Sequence, residues 1–189
     1  MPPSRLDRIF RSALRRFLAL ACLVCLPWLS VAASIPDVSV QTHTGAQTQL
    51  VSGLMADKVV ALHFMYPACR SLCRVLGKVM AETQNRLIQD AVAEHARFIS
   101  ISITPQQSAP SKLAAWLKRH DARDGWTAVR IEPRELSEVM LYFGETPAEV
   151  MLHSSQVLVI DRQGNIVHRF NDTPTPKQLA QSMRQALAQ

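Results

Sequence analysis

The feature that most constrains the fold of this chain is a continuous apolar segment that leads into two cysteines and a helical pattern. Residues 59–65 read Val-Val-Ala-Leu-His-Phe-Met, which is typical of a strand buried on both faces. Pro67 ends this strand, and Cys69 and Cys73 follow it. Apolar residues then recur at helical spacing, at Leu72, Val75, Leu76, Val79, Met80, Leu87 and Ile88. The pattern predicts a central strand, then a short loop that leads to the two thiols, and then a helix.

Further strands and helices alternate along the rest of the chain. We predict an N-terminal β-hairpin over residues 38–51, strands at 97–103, 127–131, 156–160 and 166–170, a helix over 133–143, and two helices capped by Ser111 and Thr175. This alternation indicates an α/β fold with three layers, in which helices flank a mixed central β-sheet. The order resembles that of thioredoxin-like folds, which place their thiols between a central strand and the following helix.

The first 33 residues form a segment of a different kind. Five arginines lie within the first 16 residues, an apolar run covers residues 17–29, and small residues follow it. This arrangement is typical of a secretory signal peptide, and the segment is also close to the minimum length of a membrane anchor. We therefore expect residues 1–33 to be a signal peptide or an N-terminal anchor. Residues 34–189 would then form one domain in a bacterial periplasm, free or held at the inner membrane.

The distribution of charge and the positions of the cysteines limit the functions that the domain can have. The formal net charge is +6, but the first 16 residues carry five arginines and one aspartate, so most of the excess belongs to the N-terminal segment. The rest of the chain carries nearly equal numbers of positive and negative charges, so the domain is not expected to bind nucleic acid. Cys22 and Cys25 lie inside the apolar run and are not expected to form a redox or metal site. The exported domain keeps only Cys69 and Cys73.

The spacing of these two cysteines indicates reactive thiols. Residues four apart at a helix start lie on one face, so both sulfur atoms can reach a common point. The positive end of the helix favours thiolate, and Arg70 and Arg74 add positive charge beside the sulfurs. A thiolate pair can exchange disulfides or bind a soft metal. A buried free-thiol pair and a structural disulfide are the alternatives, but a bridge across so short a loop stabilises little.

A metal would need a third ligand from elsewhere in the chain. Six histidines are candidates, and His153 stands out because the loop before the strand at 156–160 faces the thiol-bearing helix start in a thioredoxin-like fold. His63 is the next candidate, although its place within a strand predicts a packed side chain. Two thiolates and an imidazole suit copper, since sulfur favours Cu(I) and nitrogen also tolerates Cu(II). Zinc would need a fourth strong ligand, and none is apparent.

Taken together, these motifs resemble those of the SCO/SenC family, thioredoxin-like copper-binding proteins of cytochrome c oxidase assembly. The matching segments are Ile35-Pro36-Asp37, Leu62-His63-Phe64-Met65-Tyr66-Pro67-Ala68-Cys69 with Cys73, Ser100-Ile101-Ser102-Ile103-Thr104-Pro105, and His153-Ser154 ahead of Leu158-Val159-Ile160-Asp161-Arg162-Gln163-Gly164. The resemblance implies that Cys69, Cys73 and His153 bind copper. It also implies a cuproprotein or oxidase subunit as partner.

The chain departs from the family pattern at several positions beside the site. Arg70 and Arg74 stand where the family usually has prolines, and Leu152 replaces an acid that often precedes the histidine. The usual Asp-Pro after the third strand is Thr104-Pro105. These changes alter charge around the site and leave the ligands intact, so the chain resembles a divergent member.

Two functions follow from the sequence. The first is a copper chaperone that delivers its metal to a cuproprotein such as cytochrome c oxidase. The second is a thiol–disulfide oxidoreductase, in which Cys69 and Cys73 are catalytic and reduce the cysteines of a metalloprotein partner. A peroxiredoxin-like peroxidase would want threonine or serine three residues before the reactive cysteine, where this chain has Tyr66. No Ser-His-Asp pattern or paired carboxylate supports a hydrolase.

Overall fold

The computed structural model describes residues 34–69, 71–146 and 155–189. The predictions for residues 1–33, Arg70 and His153 lie outside these ranges. The strands are β1 Ser39–Thr42, β2 Gln47–Gln49, β3 Val59–Met65, β4 Ala96–Ser102, β5 Trp126–Ile131, β6 Val157–Ile160 and β7 Ile166–Phe170. The helices are α1 Leu72–Gln89, α2 Pro110–Arg119, α3 Pro133–Tyr142 and α4 Pro176–Leu187. In the described part, no helix combines the length and the apolar character that a membrane crossing requires.

The strands form one mixed sheet in the order β2-β1-β5-β4-β3-β6-β7. β3 pairs in parallel with β4, and β4 in parallel with β5, while the remaining pairs are antiparallel. All seven residues of β3 are buried, as its uninterrupted apolar sequence predicts for a strand with neighbours on both sides and cover on both faces. The predicted α/β fold with a mixed central sheet and an N-terminal hairpin is confirmed.

Two hydrophobic cores, one on each face of the sheet, form the three layers. Alternate residues of β3 point to opposite faces, so Ala61 and Met65 enter one core and Leu62 and Phe64 the other. Helices α1, α2 and α4 cover the first face, with Leu76, Met80, Leu113, Trp116, Leu179 and Met183. Helix α3 covers the second face, with Leu136, Val139, Met140 and Phe143. The placement leaves the carboxyl end of β3 between α1 and α2.

Several element boundaries differ from the predictions by one residue, and two further differences have a structural reason. The return strand of the hairpin ends at Gln49, and Leu50–Met55 forms a short π-helical segment whose Leu50 is fully buried. Helix α2 begins at Pro110 with Ala109 at the N-cap position, so the predicted cap at Ser111 is wrong. Proline at the first helical position explains the earlier start, because its fixed φ suits a helix and it has no N–H to satisfy. The predicted cap at Thr175 is confirmed.

Candidate metal centre

The loop that carries the first thiol is held at the carboxyl end of β3. The Cys69 amide donates to the Tyr66 carbonyl oxygen at 2.9 Å and closes a tight turn. The Arg119 Nη2 group, at the end of α2, donates to the Pro67 carbonyl oxygen at 2.6 Å. Helix α1 then begins at Leu72. The turn and the arginine position Cys69 just ahead of the helix and Cys73 in its first turn.

Both thiols are free and only partly buried, but they are not equivalent. Burial of the Cys69 thiol raises its pKa, while hydrogen bonds with Cys73, Ser71 and backbone N–H groups outweigh the burial and bring this pKa below that of an ordinary cysteine. Burial, the hydrogen bond to Cys69 and the Cys69 charge raise the pKa of Cys73 to about 12. Cys69 is therefore the more acidic thiol of the pair, and the Cys73 thiol donates a hydrogen bond to the Cys69 sulfur.

This asymmetry corrects part of the sequence interpretation. We expected the helix N-terminus and the neighbouring arginines to favour thiolate at both sulfurs. The pKa of Cys69 is lowered as expected, and hydrogen bonds with Cys73, Ser71 and backbone N–H groups lower it. The expectation is wrong for Cys73, whose side chain packs against the hydrophobic core beneath α1. Desolvation penalises the charged form, and one thiolate raises the pKa of a neighbouring thiol. The two thiols of the free protein therefore differ in acidity, and Cys69 is the more acidic.

A cavity of about 650 Å³ opens beside Cys69. Its described lining consists of Pro67, Ala68, Cys69, Arg74, Lys78, Arg119 and His120. Sequence analysis identified Arg74 from its position next to Cys73 and counted His120 among six candidate histidines without singling it out, and it missed Lys78 and Arg119. Arg74 and Lys78 are four residues apart on α1 and so project on one face, whereas the other two come from the end of α2.

His120 reaches this cavity because α1 carries a glycine beneath it. A Cβ atom at Gly77 would lie 2.5 Å from His120 Nε2, which is closer than any real side chain tolerates. The ring also packs against Trp116, with centroids 4.7 Å apart. Burial, followed by the positive charges of Arg119 and Arg74, lowers the pKa of His120. A glycine in the middle of a predicted amphipathic helix was the one sequence signal of this close approach.

The other described histidines lie away from this cavity. His63 is fully buried, as predicted, and its Nε2 atom lies 2.7 Å from Ser100 Oγ, which also accepts a hydrogen bond from Trp126. His95 is exposed beside Glu94. His43 directly follows the last residue of β1, and His168 packs against Phe170 in the edge strand β7. Of these four side chains, none lines the cavity beside Cys69.

The ligand set predicted from the sequence is only partly within the described residues. Cys69 and Cys73 lie together at the start of α1, and His153 falls in the segment 147–154. Strand β6 begins at Val157, directly opposite His63 near the end of β3. Within residues 34–69, 71–146 and 155–189, no cluster of three or more His, Cys, Asp or Glu side chains is arranged to hold a metal ion. Of the three predicted ligands, the described residues include the two cysteines.

Comparison with known proteins relates the whole domain to one group. The sequence model of the SCO1/SenC family matches residues 41–188. No curated protein matches the chain in sequence. Among solved structures, copper-bound ScoI of Bradyrhizobium japonicum is 18% identical with a TM-score of 0.66, over 82% of this chain and 99% of that one. Copper-bound Sco1 of yeast is 13% identical with a TM-score of 0.67, over 83% and 94%.

A third solved structure is similar over a comparable length. BsSco, described as a member of the Sco family of cytochrome c oxidase assembly proteins with a disulfide switch, is 18% identical to this chain. Its TM-score is 0.70, over 84% of this chain and 95% of that one. These structural similarities establish a shared fold. The family relationship rests on the match of the family model, which covers most of the chain.

Proposed function

The chain belongs to the SCO1/SenC family, and on that premise we propose that it is a periplasmic copper chaperone whose ligands are Cys69, Cys73 and His153. The observation that carries the proposal is the free thiol pair, held at the end of β3 by a turn and by the hydrogen bond from Arg119 to Pro67. Soft thiolate sulfur suits Cu(I), and an added imidazole suits Cu(II) as well.

The topology supports His153 as the third ligand. The first residue of β6 pairs with His63, and His63 is two residues before the end of β3. The chain therefore enters β6 from the end of the sheet at which the thiol loop lies, and His153 precedes β6 by only a few residues in the sequence. A three-ligand shell also suits a carrier, since an open side lets a partner's ligands bind the metal before it is released.

We infer that the two cysteines have different roles when the protein binds copper. Cys69, whose thiol has the lowered pKa, binds the incoming ion first as a thiolate. Cys73 then loses its proton to solvent as its sulfur joins the ion. Arg74 lies next to Cys73 and offsets the negative charge of a dithiolate-Cu(I) complex. Delivery follows by ligand exchange with the partner, which we infer to be a cuproprotein such as an oxidase subunit.

An anaerobic Cu(I) competition titration tests the proposal. Fully reduced protein should bind one Cu(I), and Cys69→Ser and Cys73→Ser should each abolish tight binding. His153→Ala should weaken binding at least tenfold, whereas His95→Ala, a change at an exposed histidine, should have no effect. Equal affinity in the wild type and His153→Ala would overturn the three-ligand site.

The unequal thiols favour a second candidate, a thiol–disulfide oxidoreductase. A more acidic, outer thiol can attack a partner's disulfide, and a protonated neighbour can resolve the mixed disulfide. If reduced protein restores the thiols of an oxidised cuproprotein domain while its Cu(I) affinity is negligible, the oxidoreductase function replaces the chaperone. His153→Ala should leave such thiol exchange unchanged.

Localisation follows from the N-terminal segment. Fusion of a reporter enzyme that is active only outside the cytoplasm, placed after residue 189, should give activity. Deletion of residues 1–33 should abolish it. Reporter activity that survives the deletion would contradict export through this segment.

A further inference from the structure

The cavity beside Cys69 has a strongly positive wall. Arg74, Lys78 and Arg119 line it, and none of its described lining residues is acidic. Within the described part of the chain, none of the three cations takes part in an ion pair. Arg119 donates to the neutral Pro67 carbonyl, so its charge is not balanced. Concave surfaces lined by one sign of charge concentrate ligands of the opposite sign.

We propose that this cavity binds the carboxylates of a low-molecular-weight thiol, which reduces an oxidised Cys69–Cys73 pair. The inference rests on the proposed function, because copper binding requires both thiols in reduced form. A volume of about 650 Å³ is that of a small-molecule site. Cys69 is itself part of the cavity wall, so a ligand anchored by its carboxylates on the cations would hold its sulfur next to the Cys69 sulfur.

The reaction consumes two ligand molecules. The first ligand thiolate attacks Cys69, the Cys69–Cys73 bond breaks, and Cys73 leaves as a thiolate and takes up a proton. A second ligand thiolate attacks the ligand sulfur of the mixed disulfide and releases Cys69. The protein disulfide gains two electrons, and the two ligand thiols are oxidised to one ligand disulfide.

Alkylation tests the positive cavity without copper. The Cys69 thiolate displaces iodide from both iodoacetate and iodoacetamide, which differ in charge, so the ratio of the two alkylation rates cancels any change in thiol pKa. On the reduced full chain, with Cys69 followed by mass spectrometry, Lys78→Gln should lower the iodoacetate-to-iodoacetamide ratio about two- to threefold, the effect of one charge within a Debye length of ~10 Å. Lys78→Gln with Arg74→Gln should lower it further.

A matched control removes the same charge elsewhere. Lys177 is exposed at the start of α4 and does not line the cavity, so Lys177→Gln should leave the ratio unchanged. If Lys78→Gln and Lys177→Gln behave alike, the cavity is not an anion site and the inference fails. Because this measurement uses metal-free protein, its failure is distinguishable from a failure of copper binding in the titration.

The ligand class is tested with glutathione and its diethyl ester, which share a thiol and differ in carboxylates. Compared per thiolate, glutathione should reduce the oxidised protein at least fivefold faster, and Lys78→Gln should remove most of that advantage. Equal rates for the two thiols would overturn the small-thiol ligand. If the alkylation ratio still depended on Lys78, an acidic segment of a protein partner would be the occupant instead.

Discussion

The imidazole ring of His120 lies over Gly77, so that α2 ends where α1 has no side chain. A Cβ atom at Gly77 would stand 2.5 Å from Nε2 of that ring. Gly77 is one helical turn beyond Cys73 on the same face of α1. This contact brings the end of α2, with Arg119 and His120, against the helix that carries the thiols.

Gly77→Ala should therefore destabilise the protein, although alanine favours helices more than glycine does. Overpacking a core costs about 1–3 kcal/mol, and the gain in helix propensity offsets about 1 kcal/mol of it. We expect a net loss in the free energy of unfolding, measured by urea denaturation. In the His120→Ala background the same substitution should be neutral or stabilising. An equal loss in both backgrounds would show that the ring is not the cause.

Acid should destabilise the protein through His63. Burial, followed by the nearby His120, lowers the pKa of His63 to about 3, from an ordinary value of 6.5. The unfolded chain takes up a proton below pH 6.5 and the folded protein does not, so stability is lost as pH falls from about 6.5 to 3. Between pH 6.5 and 4.5 the loss should be about 2–3 kcal/mol.

Denaturation at several pH values checks this dependence. His63→Asn removes the titrating ring, so it should lower stability at neutral pH and flatten the profile. His95→Gln, at an exposed histidine, should keep the wild-type profile. A His63→Asn profile as steep as that of the wild type would assign the acid sensitivity to other groups.

Alkylation of the reduced protein should proceed in a fixed order. The pKa of Cys69 is below its ordinary value of 9.0, and that of Cys73 is raised to about 12. Iodoacetamide at pH 7.5 should therefore label Cys69 at least tenfold faster than Cys73, as resolved by peptide mass spectrometry. In Cys69→Ser the pKa of Cys73 should fall, because the Cys69 charge and hydrogen bond are gone. Faster labelling of Cys73 in the wild type would contradict the assignment.

Copper affinity should rise with pH. The Cys73 proton must leave before its sulfur binds the ion, and its pKa lies far above neutrality. The apparent Cu(I) affinity should increase at least tenfold for each pH unit between 6 and 8, in competition titrations. The weak residual binding of Cys73→Ser, which has no such proton to release, should depend less on pH. A flat wild-type profile would mean that Cys73 is not a ligand.

The C-terminal helix depends on its capping box. Thr175 accepts from the Gln178 amide, and the Gln178 side chain accepts from the Thr175 amide at 2.9 Å. Thr175→Ala should cost about 1 kcal/mol of unfolding free energy, measured by thermal denaturation. Gln181→Ala, at an exposed position of the same helix, should change stability by less than about 0.5 kcal/mol.

Much of the fold was predictable because its signals are local. The apolar run of β3, the helical spacing after Cys73 and the cap at Thr175 each depend on neighbours in sequence, and all three are confirmed. The predicted cap at Ser111 failed where two local signals competed, since Pro110 starts the helix one residue earlier. The predicted return strand of the hairpin is too long, because Leu50 belongs to the π-helical segment. Leu50 is buried there, and burial alone does not distinguish a strand residue from a residue of such a segment.

By itself, the sequence determined that two thiols four residues apart begin a helix at the end of a buried strand, because helix and strand periods place them there. Only the tertiary structure decided that the thiols differ in pKa, since that depends on the burial of Cys73 against the core. It also decided that Arg119 holds the Pro67 carbonyl and that His120 covers Gly77. Those contacts join residues more than 40 positions apart, and only the packing of α2 beside α1 brings them together.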